Sequence, residues 1–117
     1  MITLSTHVLD SSTGRPAAGM SVALENAVLM SPGDTRSWLP LARGVTDTDG
    51  RVQDWDGAPL GTGSYRLIFD TKTWSDDRGR ACFYPEVIIT FTISDSHAHY
   101  HVPLLLAAYA YSTYRGS

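Results

Sequence analysis

A chain of 117 residues is the size of one domain, and its 43% hydrophobic content is an ordinary globular composition that argues against disorder. The net charge of −3 with no basic stripe argues against a nucleic-acid partner, and no apolar run is long enough to span a membrane. Cys82 is the only cysteine, so no intrachain disulfide can form, which fits a reducing compartment.

In chain order, Met1 leads straight into Ile2-Thr3-Leu4, which reads as a strand and not as a leader, so a cytoplasmic location is expected. From Ile2 to Asp10 the apolar Ile2, Leu4 and Val8 alternate with Thr3, Ser5 and His7, the pattern of a half-buried strand with His7 on its polar face. Residues 10–16 form a turn cluster. Met20 to Leu29 reads as a second strand with Val22 and Leu24 on one face, and Ser31-Pro32-Gly33-Asp34 breaks the chain as a hairpin would. Trp38 to Thr46 is a third strand in which Pro40 implies an edge or a bulge. After the turn at Asp47-Thr48-Asp49-Gly50 a short strand is expected at Arg51 to Gln53, then another at Ser64 to Asp70. Asp70 can cap a brief helix over Thr71 to Arg78 that Gly79 ends. Glu86 to Ile93 is the clearest strand, with Val87, Ile89, Phe91 and Ile93 on one face; His97 to Leu106 and Ala107 to Tyr114 read as two more. This pattern predicts an all-β fold, an antiparallel β-sandwich of seven to eight strands with one short helix, in a single domain over residues 1–117.

His97, His99 and His101 fall at alternate positions of one expected strand, so their imidazoles would share a face. Two readings stay open on the pattern alone: a solvated strand face, or a zinc site using a further ligand such as His7. Asp47-x-Asp49-Gly50 is not a calcium loop, because with Gly50 at loop position 6 the first and last positions are Val45 and Asp56. No phosphate loop, dinucleotide fingerprint or nucleophile elbow is present, and Cys82 reads as a packing residue.

Four segments together change this. Tyr114-Arg115-Gly116-Ser117 resembles the C-terminal signature of the 5-hydroxyisourate hydrolases, the enzymatic relatives of transthyretin. Thr6-His7-Val8-Leu9-Asp10 followed by Gly14-Arg15-Pro16-Ala17 is similar to the family's N-terminal motif. Residues 46–51 resemble its Asp-Gly-Arg turn, and His99-Tyr100-His101-Val102-Pro103-Leu104-Leu105 its penultimate strand; Phe83-Tyr84-Pro85-Glu86 agrees as well. Two departures are a long stretch from Asn26 to Arg43, and Ala107-Ala108 in place of a Ser-Pro pair before the last strand.

The resemblance implies a transthyretin-like fold and hydrolytic opening of 5-hydroxyisourate to 2-oxo-4-hydroxy-4-carboxy-5-ureidoimidazoline in urate breakdown, with no metal or organic cofactor. Carried over, the catalytic residues are His7, Arg51 and His101, and Tyr114, Arg115, Gly116 and Ser117 bind substrate; His99 is a supporting residue and His97 lies outside the pattern. Histidine suits the proton transfers because its ordinary pKa is about 6.5, and the arginine fork suits a carbonyl or developing anion. Which histidine is the base is not set by the pattern. The resemblance also implies a homotetramer with active sites in a channel between subunits, for which Leu104, Leu105, Leu106, Tyr109 and Tyr111 offer apolar surface. The rival classes are a transthyretin-like carrier without catalysis and a metal-binding protein using His97, His99 and His101.

Overall fold

The computed structural model describes residues 1–29 and 36–117. Among these are strands β1 (Thr3–Asp10), β2 (Arg15–Pro16), β3 (Ser21–Leu29), β4 (Arg36–Val45), β5 (Arg51–Val52), β6 (Gly63–Phe69), β7 (Val87–Ile93), β8 (His99–Leu106) and β9 (Tyr111–Thr113), and one helix, α1 (Thr71–Asp76). One sheet has the order β2-β1-β8-β9, with β5 also paired to β1; the other has the order β4-β3-β6-β7. The expected turn at residues 31–34 lies outside the described residues.

The alternation read from the sequence is the alternation of burial. Leu4 and Val8 of β1, Tyr100, Val102, Leu104 and Leu106 of β8, Val22 and Leu24 of β3, Leu67 and Phe69 of β6, and Val87, Ile89 and Ile93 of β7 are all buried in one core between the sheets. Side chains of opposite parity point outward, so Thr3 is exposed and His7 and His101 are half-buried on the outer face of the first sheet. The Asp70 carboxylate accepts the Thr73 N–H at 3.2 Å and starts α1 as expected. Trp74 of α1 is buried, and its indole N–H donates to the Ala18 carbonyl at 2.8 Å. β4 is an edge strand with a register shift where Glu25 pairs with Pro40 and Leu24 with Ala42, so Pro40 marks both the edge and the irregularity.

Four expectations need correction. Arg15 and Pro16 pair with Asp10 and Leu9 as a two-residue strand; so short a ladder shows no periodicity in sequence. The ninth strand begins at Tyr111 and not at Ala107. Ala107 to Ala110 form the connecting turn, closed by Ala107 N–H to the Ala110 carbonyl at 2.8 Å, and Ala-Ala-Tyr-Ala carries none of the residues that announce a turn. Leu104 and Leu106 are buried in the chain's own core and offer no interface; the exposed apolar surface near them is Tyr109 and Tyr111. β1 and β8 run parallel, from Thr3 beside His99 to Asp10 beside Leu106, while the other strand pairs are antiparallel. Alternation gives the facing of a strand and not its sense.

A partly buried ion pair fastens the far end of β1. The Arg80 guanidinium donates to both Asp10 carboxylate oxygens, at 2.5 and 2.9 Å, and Asp10 also accepts from Ser12 N–H and the Thr13 hydroxyl. The Arg80 hydrogen bond, above the rest, holds the Asp10 carboxyl down at about 2.

Candidate active site

The parallel register sets Ser5 beside His101 and His7 beside Pro103, so the outward residues of β1 and β8 form one surface. β5 adds Arg51 to it, since Arg51 is the register partner of His7 on the opposite edge of β1. Arg51 is held there by its turn. The Asp47 carboxylate accepts the N–H groups of Asp49 and Arg51, each at 2.9 Å, and Gly50 adopts φ +78°. A Cβ on Gly50 would lie 2.4 Å from the Val8 carbonyl oxygen, which itself is reached only because the turn packs flat on β1. The Asp-Gly-Arg sequence is thus a device for pressing a cation against the histidine strand.

His101 stands at the centre of this surface. Its Nδ1 is 2.7 Å from the Ser5 hydroxyl, and Nε2, which has no hydrogen-bond partner among the described residues, is the nitrogen that can face a reactant. Burial holds its pKa below the ordinary 6.5; the charges of Arg51, His7 and His99 act in the same direction, and hydrogen bonding to the Ser5 backbone acts weakly against them. His101 is therefore a neutral imidazole near pH 7, able to take a proton. The His99 ring lies nearly parallel to that of His101, with centroids 6.4 Å apart and 15° between planes.

The tail residues divide. Gly116 N–H donates to the His101 carbonyl at 2.8 Å, and a Cβ on Gly116 would sit 2.4 Å from His101 Cδ2, the ring carbon next to Nε2. Only glycine lets the backbone approach the imidazole so closely. Tyr114 and Arg115 instead line a cavity of about 330 Å³ with Ile89, Phe91, Tyr100 and Val102, residues of β7 and of the inward side of β8. The Arg115 guanidinium lies 4.4 Å over the Tyr100 ring, on the far side of the sheet from His101. Ser117 is exposed.

His97 does not join the group. It lies in the turn before β8, exposed, with its backbone N–H on the Asp95 carboxylate at 2.9 Å. The three-histidine strand face expected from spacing is a two-histidine face, because the Asp95 turn ends the alternation before it reaches His97. Among the described residues no three His, Cys, Asp or Glu side chains are gathered closely enough to hold a metal ion. The sequence reading passed over Thr3 and Ser5, whose hydroxyls meet His99 and His101. Their parity with His7 was visible; that β8 would be the neighbouring strand was not.

The sequence profile of the HIUase/Transthyretin family matches residues 4–116. The chain belongs to this family. Over 115 residues it is 44% identical to a 5-hydroxyisourate hydrolase of Salmonella dublin, covering 97% of this chain and 80% of that protein. The structure of Klebsiella pneumoniae 5-hydroxyisourate hydrolase is 40% identical over 100% of both chains, with a TM-score of 0.82. Sea bream transthyretin, solved in complex with thyroxine, is 27% identical over 97% of this chain and 93% of its own, with a TM-score of 0.86. Membership of the HIUase/Transthyretin family accounts for the two-sheet fold, since hydrolase and carrier share it.

Proposed function

We propose that this chain hydrolyses 5-hydroxyisourate to 2-oxo-4-hydroxy-4-carboxy-5-ureidoimidazoline, a step in urate breakdown. The observation that carries the reading is the outer face of the β1–β8 sheet, where His7, His101 and Arg51 converge in a chain 40–44% identical to two named hydrolases. The carrier in complex with thyroxine stands at 27%. A face bearing two imidazoles and a guanidinium is built for a polar, hydrated ring and for proton traffic, not for an apolar cargo.

The reaction needs a water made nucleophilic, a stabilised oxyanion and a protonated leaving nitrogen. His101 serves as the base, because its depressed pKa keeps it neutral and Ser5 engages its Nδ1, leaving Nε2 toward the reactant. His7, beside Arg51 on the same face, holds the attacking water or the leaving nitrogen by hydrogen bonding. Arg51 orients the substrate through its carbonyl oxygens and stabilises the charge that develops on them. Gly116 brings the tail against His101, with Ser117 next to it as a substrate contact; Tyr114 and Arg115 line the cavity beside Tyr100 on the other side of the sheet and act on the site only by anchoring the tail.

The working unit is a homotetramer in the cytoplasm. Supporting this, the histidines stand on an open sheet face that needs a cover to exclude water. Phe83, Tyr109, Tyr111 and Tyr114, four of the exposed large apolar side chains, cluster around β9. Cys82 is a free thiol, and among the described residues no helix is long and apolar enough to cross a membrane. Light scattering checks the assembly: a monomer with full activity would refute the shared channel. The function is tested by generating 5-hydroxyisourate in situ from urate. The protein should accelerate its decay and leave urate untouched; decay equal to buffer alone overturns the reading.

A further inference from the structure

Thr3 and Ser5 have no part in the reaction as proposed above, yet both hydroxyls are aimed at imidazoles. Ser5 is only 7% exposed and stands between the two histidines of β8, its Oγ 2.7 Å from His101 Nδ1 and 3.3 Å from His99 Nε2. The other ring nitrogen of His99, Nδ1, is 2.6 Å from Thr3 Oγ1. An unbroken chain runs Thr3–His99–Ser5–His101, and it ends at the free Nε2 of His101.

A hydroxyl has one proton to donate, and a neutral imidazole donates at one nitrogen and accepts at the other. The chain therefore has two consistent polarities. In the first, His101 Nδ1–H donates to Ser5, Ser5 donates to His99 Nε2, and His99 Nδ1–H donates to Thr3; His101 Nε2 is then a bare lone pair. In the second every donor and acceptor is reversed, and His101 carries its proton on Nε2.

We propose that Ser5 is a positioning residue that sets the tautomer of His101 and passes its proton to His99 and back, so that one imidazole serves first as base and then as acid. The proposal rests on the hydrolytic function given above. In the first step the water proton bonds to His101 Nε2, the Nδ1 proton moves to Ser5 Oγ, and the Ser5 proton moves to His99 Nε2. His101 is then neutral with its proton on Nε2, and His99 is the imidazolium. In the second step Nε2–H goes to the leaving nitrogen as the carbon–nitrogen bond breaks. The His99 Nε2 proton returns to Ser5, and the Ser5 proton to His101 Nδ1. The net transfer is one proton from water to the leaving group, and all four residues regain their starting state.

The surroundings favour moving the charge outward. His101 is half-buried and faces Arg51 from β5, His7 from β1 and His99 on its own strand, all of them cationic or able to become so. His99 is exposed, so water solvates an imidazolium there far better. Without Ser5 the charge would have to remain beside Arg51.

The test compares the assembled wild-type protein with Ser5→Ala, Ser5→Thr and His99→Gln. Nitrogen NMR of the imidazoles across pH reads tautomer and protonation without substrate, and steady-state kinetics gives kcat and KM separately. In Ser5→Ala the His101 tautomer ratio should change and kcat should fall about 100-fold with KM within about threefold, the low end of what a placed acid–base group contributes. Ser5→Thr, which keeps the hydroxyl, should restore both. His99→Gln alters an exposed side chain and breaks the chain at its next link, so it should lower kcat and shift the His101 tautomer even if Ser5→Ala does not fold. Unchanged His101 spectra together with wild-type kcat in the folded variants would overturn the proposal. A wild-type protein that fails to hydrolyse 5-hydroxyisourate would instead overturn the function, and the NMR arm would still report whether Ser5 governs the His101 tautomer.

Discussion

Replacing Gly116 by alanine adds one methyl group at the point where the tail meets the catalytic surface. The new Cβ would lie 2.4 Å from His101 Cδ2, 3.1 Å from Cγ and 3.2 Å from Cβ. Carbon atoms prefer about 3.5–4.0 Å, so a gap of more than 1 Å must open at Cδ2. Rotating the ring away relieves Cδ2 but takes Nδ1 off Ser5, and it does nothing for the contact at Cβ. The alternative is that the tail peels off, losing the hydrogen bond from Gly116 N–H to the His101 carbonyl. One half-buried backbone hydrogen bond is worth about 1 kcal/mol, so the melting temperature should fall by only a few degrees. Displacing a reacting group by about 1 Å costs on the order of 100-fold in rate. Gly116→Ala should therefore fold, melt close to wild type and hydrolyse 5-hydroxyisourate about 100-fold more slowly, as measured by in situ decay beside thermal denaturation. Wild-type turnover would show that the Gly116–His101 approach plays no part in the reaction. A collapse in melting temperature would show that the approach is structural.

The same assay should show His101→Asn at least about 100-fold slower, while His97→Asn, altered in an exposed turn, stays near wild type; equal losses would refute the division between the two. A chain ending at Thr113 should melt only modestly lower yet lose far more rate, because contacts that position substrate act on the transition state; normal turnover would remove residues 114–117 from the site. Because the His101 pKa is lowered, the base form persists below the ordinary value, and kcat/KM should fall on the acid side with a midpoint under 6.5; a midpoint above it would exclude His101 as the base. The Asp10 carboxyl is lowered from 3.8 to about 2, chiefly by Arg80 and further by Thr13 and Ser12 against the cost of burial, so its ionised form contributes about 2 kcal/mol that is full above pH 4 and lost as pH falls through 2. The stability gap between wild type and Arg80→Gln should close over that range in urea unfolding, and a gap independent of pH would refute the pairing.

Much of the fold could be read from side-chain alternation, because each strand has one face in the core: Leu4 and Val8 against His7, or Val87, Ile89 and Ile93 against Ile88 and Thr90. The Asp70 cap and the Pro40 edge were legible for a different reason, since each residue has a backbone chemistry that few positions accept. What alternation omits is adjacency. The pairing of β1 with β8 puts Ser5 beside His101, and no local pattern encodes a contact between residues 96 apart. The tail shows the same limit. Tyr114-Arg115-Gly116-Ser117 reads as one unit, but Gly116 pairs with His101 while Arg115 crosses to Tyr100 on the other side of the sheet. His97 was misplaced because spacing cannot tell a strand from the turn that leads into it.

The parallel pairing of β1 with β8 has a consequence for how the protein comes into being. Joining segments 96 residues apart carries a loop-closure entropy of about 4 kcal/mol beyond the constant term, and nothing local offsets it until both strands are present. The second sheet, by contrast, is built from β3 with β4 and β6 with β7, neighbours along the chain that can pair as they emerge from the ribosome. On vectorial synthesis the β4-β3-β6-β7 layer can assemble first and β1 can pair with β2 and β5, but the other edge of β1 must wait for β8. His7, Arg51 and His101 are therefore brought together by the last long-range event of folding. A nascent or prematurely terminated chain carries His7 and Arg51 but no functioning site, and the appearance of activity marks the moment at which the fold closes.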